Sequence, residues 1–254
     1  MEFIKKEVRN HIAFITMDRP PVNALNRQMY EELTQVFCGL YDDGDEVRVA
    51  ILQSAGKHFI AGNDINEIDE NGLGEMAVQG NYFNNCIQSI CNSPVPVIGA
   101  VNGAATGAGF CVAACCDLLV AAEGARFGLP EMKVGVIGGM AFLPAMVPQK
   151  LGRYMTLTGN LVPAEKLENY GSVHSIVPKD QLHAAAEQLA EEILQAPPLS
   201  LKAWKKCVKY IDRLEFASIE HITDLGFYDL ADTEDAQEAT RAFLEKRKPV
   251  YKGR

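Results

Sequence analysis

Pro96–Ala122 reads PVIGAVNGAATGAGFCVAACCDLLVAA. Pro96–Val101 is a short apolar run closed by Asn102-Gly103, the pattern of a buried strand ending in a turn. From about Gly107 to Cys116 the composition suits a buried helix, and Leu118–Ala122 returns to an apolar strand. A strand, a glycine-rich turn, a helix and another strand within 27 residues predict an α/β protein.

The same grammar extends outward in both directions. Upstream, Met76–Cys91 is helical in pattern, and Val47–Gln53 (VRVAILQ) reads as a buried strand stopped by Ser54-Ala55-Gly56. Asn26 can cap a helix with apolar positions Met29, Leu33, Val36 and Leu40. Phe3–Glu7 and His11–Met17 predict a hairpin around Arg9-Asn10, ended by Asp18-Arg19-Pro20-Pro21 because proline cannot continue a ladder. Downstream, Phe127–Leu151 is another strand–helix passage, and Pro178-Lys179-Asp180 opens a helix over Gln181–Gln195. Beyond Pro197-Pro198 the pattern is helical throughout: Leu199–Ile211, Glu215–Leu230 and Asp232–Lys246. The expected organisation is therefore a core over residues 1–196 and a helical region over 197–254.

Composition narrows the function. The 254 residues are 48% hydrophobic and 22% charged, ordinary for a folded soluble chain. No apolar run reaches the ~18–20 residues of a membrane span. The first residues, MEFIKKEVRNHIAFITMDRP, have neither an apolar leader core nor a small-residue cleavage site. A cytoplasmic location is expected. The net charge of −9 argues against a sequence-independent grip on nucleic acid. The exception is Lys202, Lys205, Lys206 and Lys209, spaced along one side of a helix and read as a solvated face. Seven cysteines, without a CxxC pair or zinc-type histidine spacing, read as small core residues in a reducing compartment; no metal is expected.

Two glycine-rich turns are candidates for chemistry, although such a loop taken alone is more often simple close packing: His58–Ile65 (HFIAGNDI) and Val101–Phe110 (VNGAATGAGF). Glycines let a ligand approach the backbone, and the first N–H groups of a helix are unpaired and point outward. Such a turn suits an anion or a developing oxyanion. Neither a GxGxxG turn opening a helix nor a GxxxxGK[ST] loop occurs, which disfavours nucleotide binding. Of the five histidines, His58 precedes the first turn and is expected to have a surface or packing role. The others show no spacing that argues for chemistry.

DRPPVNALN, FIAGNDINEI and PVIGAVNGAATGAGFCVAACCDLLVAAEGARFGLPEMKVGV, in this order, resemble the enoyl-CoA hydratase/isomerase (crotonase) family over nearly the whole chain. The terminal TEDAQEATRAFLEKRKPVYKGR is similar to that family's C-terminal signature. The resemblance implies a crotonase-like spiral of ββα units, with a helical C-terminal part packing trimers that commonly pair into hexamers. It also implies an acyl-CoA substrate, with coenzyme A as part of the thioester and no prosthetic group. The two oxyanion donors fall on the backbone N–H groups of Asn63 and Ala108. Of the two acid/base positions, Glu131 in Phe127-Gly128-Leu129-Pro130-Glu131 is present. The other is Cys111, where the hydratase pattern has Glu. Coenzyme A contacts carry over to Arg19, Val22 and Ala24, to Ala61, Asp64 and Ile65, and to Phe227 and Lys246.

Cys111 decides which reaction is favoured. Water addition is helped by one group that holds water and another that protonates carbon. A neutral thiol accepts hydrogen bonds poorly and is mostly protonated near neutral pH. Double-bond migration needs only one base, and relatives that isomerise Δ3- to Δ2-enoyl-CoA combine an apolar residue at the first position with Glu at the second. Isomerase is therefore favoured. The alternatives are a hydratase or dehydratase with an altered water site, or other enolate chemistry such as hydrolysis, decarboxylation or ring cleavage. A non-catalytic acyl-CoA-binding protein and an RNA-binding lysine face stand outside these.

Overall fold

Alternation along β3 (Val49–Ser54) places Val49 and Ile51 on one face of the sheet and Ala50 and Leu52 on the other, and both faces are covered. The computed structural model describes residues 1–64, 80–134, 137–211 and 233–254. The helix expected over Glu215–Leu230 lies outside these residues, as do the first residues of Met76–Cys91. The main sheet has six strands in the order β1-β2-β3-β4-β6-β9. β1 (Ile4–Arg9) and β2 (Ile12–Met17) pair antiparallel. β3, β4 (Val97–Val101), β6 (Leu118–Ala122) and β9 (Ser175–Val177) extend the sheet in parallel from β2.

The hairpin turn sits on Asn10-His11, one residue beyond the expected place. Both have positive φ, 50° and 64°, which matches the right-handed twist of the flanking strands. Asn26 caps α1 (Arg27–Gly39) as predicted, its side chain accepting from the Met29 N–H. α1, a helix through residues 80–91 (α2) and α3 (Ala108–Cys115) cover one face of the sheet, with Met29, Leu33, Phe37, Ile87, Ile90 and Phe110 buried there. Seven of the eight α3 residues are buried, so it is apolar on every side. The helix opened by Pro178 begins as a 3₁₀ turn at Lys179–Gln181. It continues as a helix (Leu182–Ile193) that sets Leu182, Ala186, Leu189 and Ala190 on the opposite face.

A second, three-stranded sheet lies at the C-terminal end of β4. It is built from β5 (Ala104–Thr106), β7 (Arg126–Gly128) and β8 (Val162–Pro163). Between β7 and β9 run three short helices: α4 (Leu143–Met146), α5 (Gln149–Thr158) and α6 (Ala164–Glu168). The helix Leu182–Ile193 is then α7, followed by α8 (Pro198–Ile211) and α9 (Glu234–Glu245).

The lysine side of α8 is only in part the solvated face the spacing predicts: Lys206 is exposed, while Lys202 and Lys205 are paired. Lys205 is buried against Asp117, Nζ to Oδ2 2.6 Å, and the same carboxylate oxygen accepts from the Val97 N–H at the start of β4. Lys202 pairs with Asp45 at 2.5 Å. Helical spacing identifies a common side but not its environment. Two of its lysines meet carboxylates, Asp117 in the interior and Asp45 near the surface. The last residues fold back as well: the Asp235 carboxylate accepts from the N–H groups of Lys252 and Gly253. None of the seven cysteines forms a disulfide.

Candidate active site

The two glycine turns are brought together by short backbone ladders. Ile60 bridges Ala105: the Ile60 N–H donates to Ala104 O and the Thr106 N–H to Ile60 O. On its other side the 61–64 segment zips onto residues 22–25. The Ala61 N–H donates to Val22 O, the Leu25 N–H to Gly62 O and the Asp64 N–H to Leu25 O. In a parallel bridge, alternate residues present their amides to opposite sides. Gly62 O and the Asp64 N–H face Leu25, so the Asn63 N–H turns the other way. It has no acceptor among the described residues.

Ala108 is the first residue of α3, so no carbonyl one turn back inside the helix is available to its N–H. Among the described residues it too has no acceptor. The glycines on either side explain how this turn packs so closely. A Cβ on Gly109 would lie 2.2 Å from the Ile60 carbonyl oxygen, so only glycine lets α3 start against the 58–62 segment. Gly107 has φ 58°, and a Cβ on it would sit 3.6 Å from Gly62 Cα and 3.2 Å from Glu131 Oε1. One small region therefore joins both turns and the expected base.

Strand pairing delivers Glu131 there. β5 and β7 are parallel with Thr106 opposite Gly128, and the Gly107 N–H donates to Gly128 O. Three residues beyond Gly128, Glu131 starts a 3₁₀ turn and extends back over Gly107. It is half-buried and makes no ion pair among the described residues, so it is not the solvated or salt-bridged cap a surface carboxylate would be. Oε2 is buried without a hydrogen-bond partner among those residues. Burial raises the carboxyl above its ordinary range, opposed by a bond from its own backbone N–H. A buried acceptor left unsatisfied costs about 1–3 kcal/mol, more when charged. The fold carries that cost at Glu131, where a proton can be taken up.

Cys111 lies one turn into α3 and is 2% exposed. Its Sγ would be 2.9 Å from a Cβ on Gly139, while Glu131 Oε1 would be 3.7 Å from one on Gly138. The thiol and carboxyl thus meet the same two-glycine segment. Burial, and then the nearby Glu131 charge, push the Cys111 thiol up to about 12. It is neutral and cannot serve as a second base near neutral pH.

The expected coenzyme A contacts divide. Val22, Ala24, Ala61 and Asp64 gather in the zipped loops, all partly exposed. Arg19 joins them as a clamp. Its guanidinium donates to Asp64 Oδ2 at 2.6 Å and to the Ala24 carbonyl at 2.8 Å. Lys246 is exposed, with φ 53°, immediately after α9. Ile65 and Phe227 lie outside the described residues. His58 has the packing role expected of it, with Nδ1 accepting from the Ala104 N–H at 3.3 Å.

Three residues of the site were not anticipated. Asn23 is buried at φ 53° and donates to the carbonyls of Ala55 and His58, while its Oδ1 accepts from the Arg19 N–H. Asn102 similarly ties β4 to the 54–56 turn, donating to Ser54 O and Gly56 O. Tyr30, on α1, donates from its hydroxyl to Asn63 Oδ1. The first two asparagines stand in loop sequence, where that residue type commonly bonds nearby backbone. Nothing local signals Tyr30, whose partner is 33 positions away.

Two backbone amides without an acceptor among the described residues and a half-buried carboxyl thus lie on the neighbouring turns around Gly62 and Gly107. The enoyl-CoA hydratase/isomerase family model matches residues 7–254, and the chain belongs to that family, the crotonases. It is 33% identical to the (E)-benzylidenesuccinyl-CoA hydratase of Thauera aromatica, over 97% of this chain and 98% of that protein. It is 34% identical to the carnitinyl-CoA dehydratase of Escherichia coli K12, over 94% of each. The enoyl-CoA hydratase structure from Bacillus anthracis superposes with a TM-score of 0.94 at 28% identity, covering 99% of both chains. The fold is thus the expected crotonase-like one, and the chain is an acyl-CoA enzyme of the hydratase, dehydratase or isomerase type. No metal-binding group occurs among the described residues, and none of their helices is long and apolar enough to cross a membrane.

Proposed function

We propose that this enzyme moves the double bond of an enoyl-CoA from Δ3 to Δ2, with Glu131 as its single base. The carrying observation is the juxtaposition of a half-buried Glu131 carboxyl, its Oε2 without a partner among the described residues, with a neutral Cys111 thiol. The thioester oxygen sits between the N–H groups of Asn63 and Ala108, each contributing about 3–4 kcal/mol as charge develops there. Glu131 removes a proton from C2. The electron pair spreads into a dienolate whose charge rests on the thioester oxygen. The protonated Glu131 then returns the proton to C4, leaving the double bond between C2 and C3. Burial keeps Glu131 a stronger base than an exposed carboxylate, which favours proton abstraction from carbon.

Reversible loss of water from a 3-hydroxyacyl-CoA is the second reading. It is favoured by the hydratase and dehydratase names of the two relatives. Glu131 would then serve both proton transfers without a second carboxylate to hold the water. Coenzyme A runs along the loops of Arg19, Val22, Ala24, Ala61, Asp64 and Ile65, with Phe227 and Lys246 meeting it from the helical region 197–254. That region packs trimers, which can pair into hexamers, in the cytoplasm.

The test presents 3-enoyl- and 2-enoyl-CoAs side by side with mass detection of products. Migration leaves the mass unchanged and hydration adds one water. Glu131→Gln is expected to cut kcat by about 10²–10⁴-fold while KM stays near wild type. Efficient hydration of 2-enoyl-CoA by wild type, with no migration of 3-enoyl-CoA, would replace the first reading with the second. Near-normal turnover by Glu131→Gln would remove both.

A further inference from the structure

We propose that Tyr30 is a positioning residue for the oxyanion hole, its phenol holding the Asn63 side chain and so aiming the Asn63 N–H. This rests on the reading above, in which that N–H binds the thioester oxygen.

The two donors are held very differently. Ala108 belongs to a helix whose first turn is pinned from below by the Gly107 N–H bond to Gly128 O and by the close approach of Gly109 to Ile60. Asn63 lies outside any strand. It makes one isolated bridge to Leu25, and the residue before it is Gly62 at φ 107°, which has no Cβ to restrict rotation. The Leu25 N–H holds the Gly62 carbonyl of the same peptide, and the other bridging bond is made by the Asp64 N–H. A displacement of about 1 Å in a catalytic group can cost about 10²-fold in rate, so a second hold on this donor, besides its single bridge, bears on the rate.

The Asn63 side chain supplies that second hold. Asn63 is exposed, yet its Oδ1 accepts from the hydroxyl of Tyr30, a residue only 1% exposed. Tyr30 cannot easily follow a moving loop. It stands on α1 one turn beyond the Asn26 cap, with its ring edge-to-face against Phe83 at 6.2 Å. Phe83 in turn packs edge-to-face on Phe142 at the same spacing. A buried tyrosine hydroxyl requires a partner, and this one reaches the residue that carries a donor. On the other side of Asn63, Arg19 holds Asp64 through a 2.6 Å ion pair. The donor peptide is thus held at its carbonyl by the Leu25 N–H and beyond its nitrogen by the Asn63 side chain, with Asp64 tied one residue further on.

The test uses a saturated acyl-CoA labelled at the thioester carbonyl, which binds without reacting, and infrared difference spectroscopy of the bound carbonyl. Wild type should shift the stretch to lower frequency. Tyr30→Phe should lose a substantial part of that shift, with kcat lowered by about 5- to 100-fold and KM changed less than about twofold. Asn63→Ala keeps the backbone N–H but removes the tie, and should behave alike. The double variant should be no worse than either single one, since both break the same link. Tyr30→Phe with full carbonyl shift and full kcat, but a lowered Tm, would show that the phenol only packs, and would overturn this inference alone. Absence of the shift in wild type would overturn the reading of the donors and this inference with it.

Discussion

Replacing Cys111 separates the chemistry of this enzyme from that of a two-carboxylate hydratase. Cys111→Ala removes one buried sulfur, Sγ, which packs against Gly139. The transfer and cavity terms for an atom of that size come to about 1 kcal/mol. For a chain of this length that lowers Tm by about 2–4 °C. Because the thiol is neutral, double-bond migration should stay within a few-fold of wild type. Cys111→Glu instead sets a second carboxyl beside the two-glycine segment that Glu131 already meets. Two carboxylates about 6 Å apart repel by about 3 kcal/mol at an effective dielectric of about 20. That corresponds to about two pKa units, shared between the pair. The acid limb of the rate profile for 3-enoyl-CoA should therefore move to higher pH by about 1–2 units, and one water should begin to add to 2-enoyl-CoA. Steady-state rates for both substrates across pH, with product mass as readout, measure each effect. Loss of all turnover in Cys111→Ala would refute the reasoning, because the thiol would then take part in the reaction.

Glu131 is raised above 4.5 by burial, so the acid limb of kcat/KM should have its midpoint above that value and disappear in Glu131→Gln. The stability contribution of such a group is present below its unfolded pKa and is lost as pH rises through the folded one. Glu131→Gln should therefore melt at or above wild type at neutral pH and lose that advantage in acid, as calorimetry would show. Lys205→Ala leaves the Asp117 carboxylate without its cation in a buried position and should cost about 3–5 kcal/mol, read from urea unfolding. Gly109→Ala places a methyl 2.2 Å from the Ile60 carbonyl. It should abolish turnover or prevent folding, whereas an active, soluble variant would show that α3 can retreat from the 58–62 segment.

Long, regular segments were legible in the amino-acid order because their spacing is local. Asn26 before Met29 and Leu33, and the apolar runs of β3, β4 and β6, carry their own signals. The second sheet was legible only in the strand expected at Phe127, which is β7. Its strands have only two or three residues, too few for alternation to show, and β5 lies inside a stretch that reads as a glycine turn. β9 escaped for the same reason. Lys202 and Lys205 of α8 were assigned to solvent, since their partners Asp45 and Asp117 stand 157 and 88 positions away. At the site, glycine clusters marked two turns, and it was the resemblance to the crotonase family that put Asn63, Ala108 and Glu131 there as a group. Their tethers, Asn23 and Tyr30, work through tertiary contacts that no local pattern announces.

The parallel pairing of β5 with β7 also bears on how the molecule comes to fold. The two strands are joined by α3 and β6, and the 60-segment that completes the cleft comes from more than 40 positions earlier. Chain closure over such separations must precede any gain from the contacts, and topologies of this kind fold slowly. Helices α1 and α7 can form early from local contacts, while the meeting of residues 60–63, 106–108 and 131 belongs to the final consolidation. Competence to bind a thioester should thus lag behind the appearance of helix during refolding, and the cleft should be among the first parts lost when the protein opens.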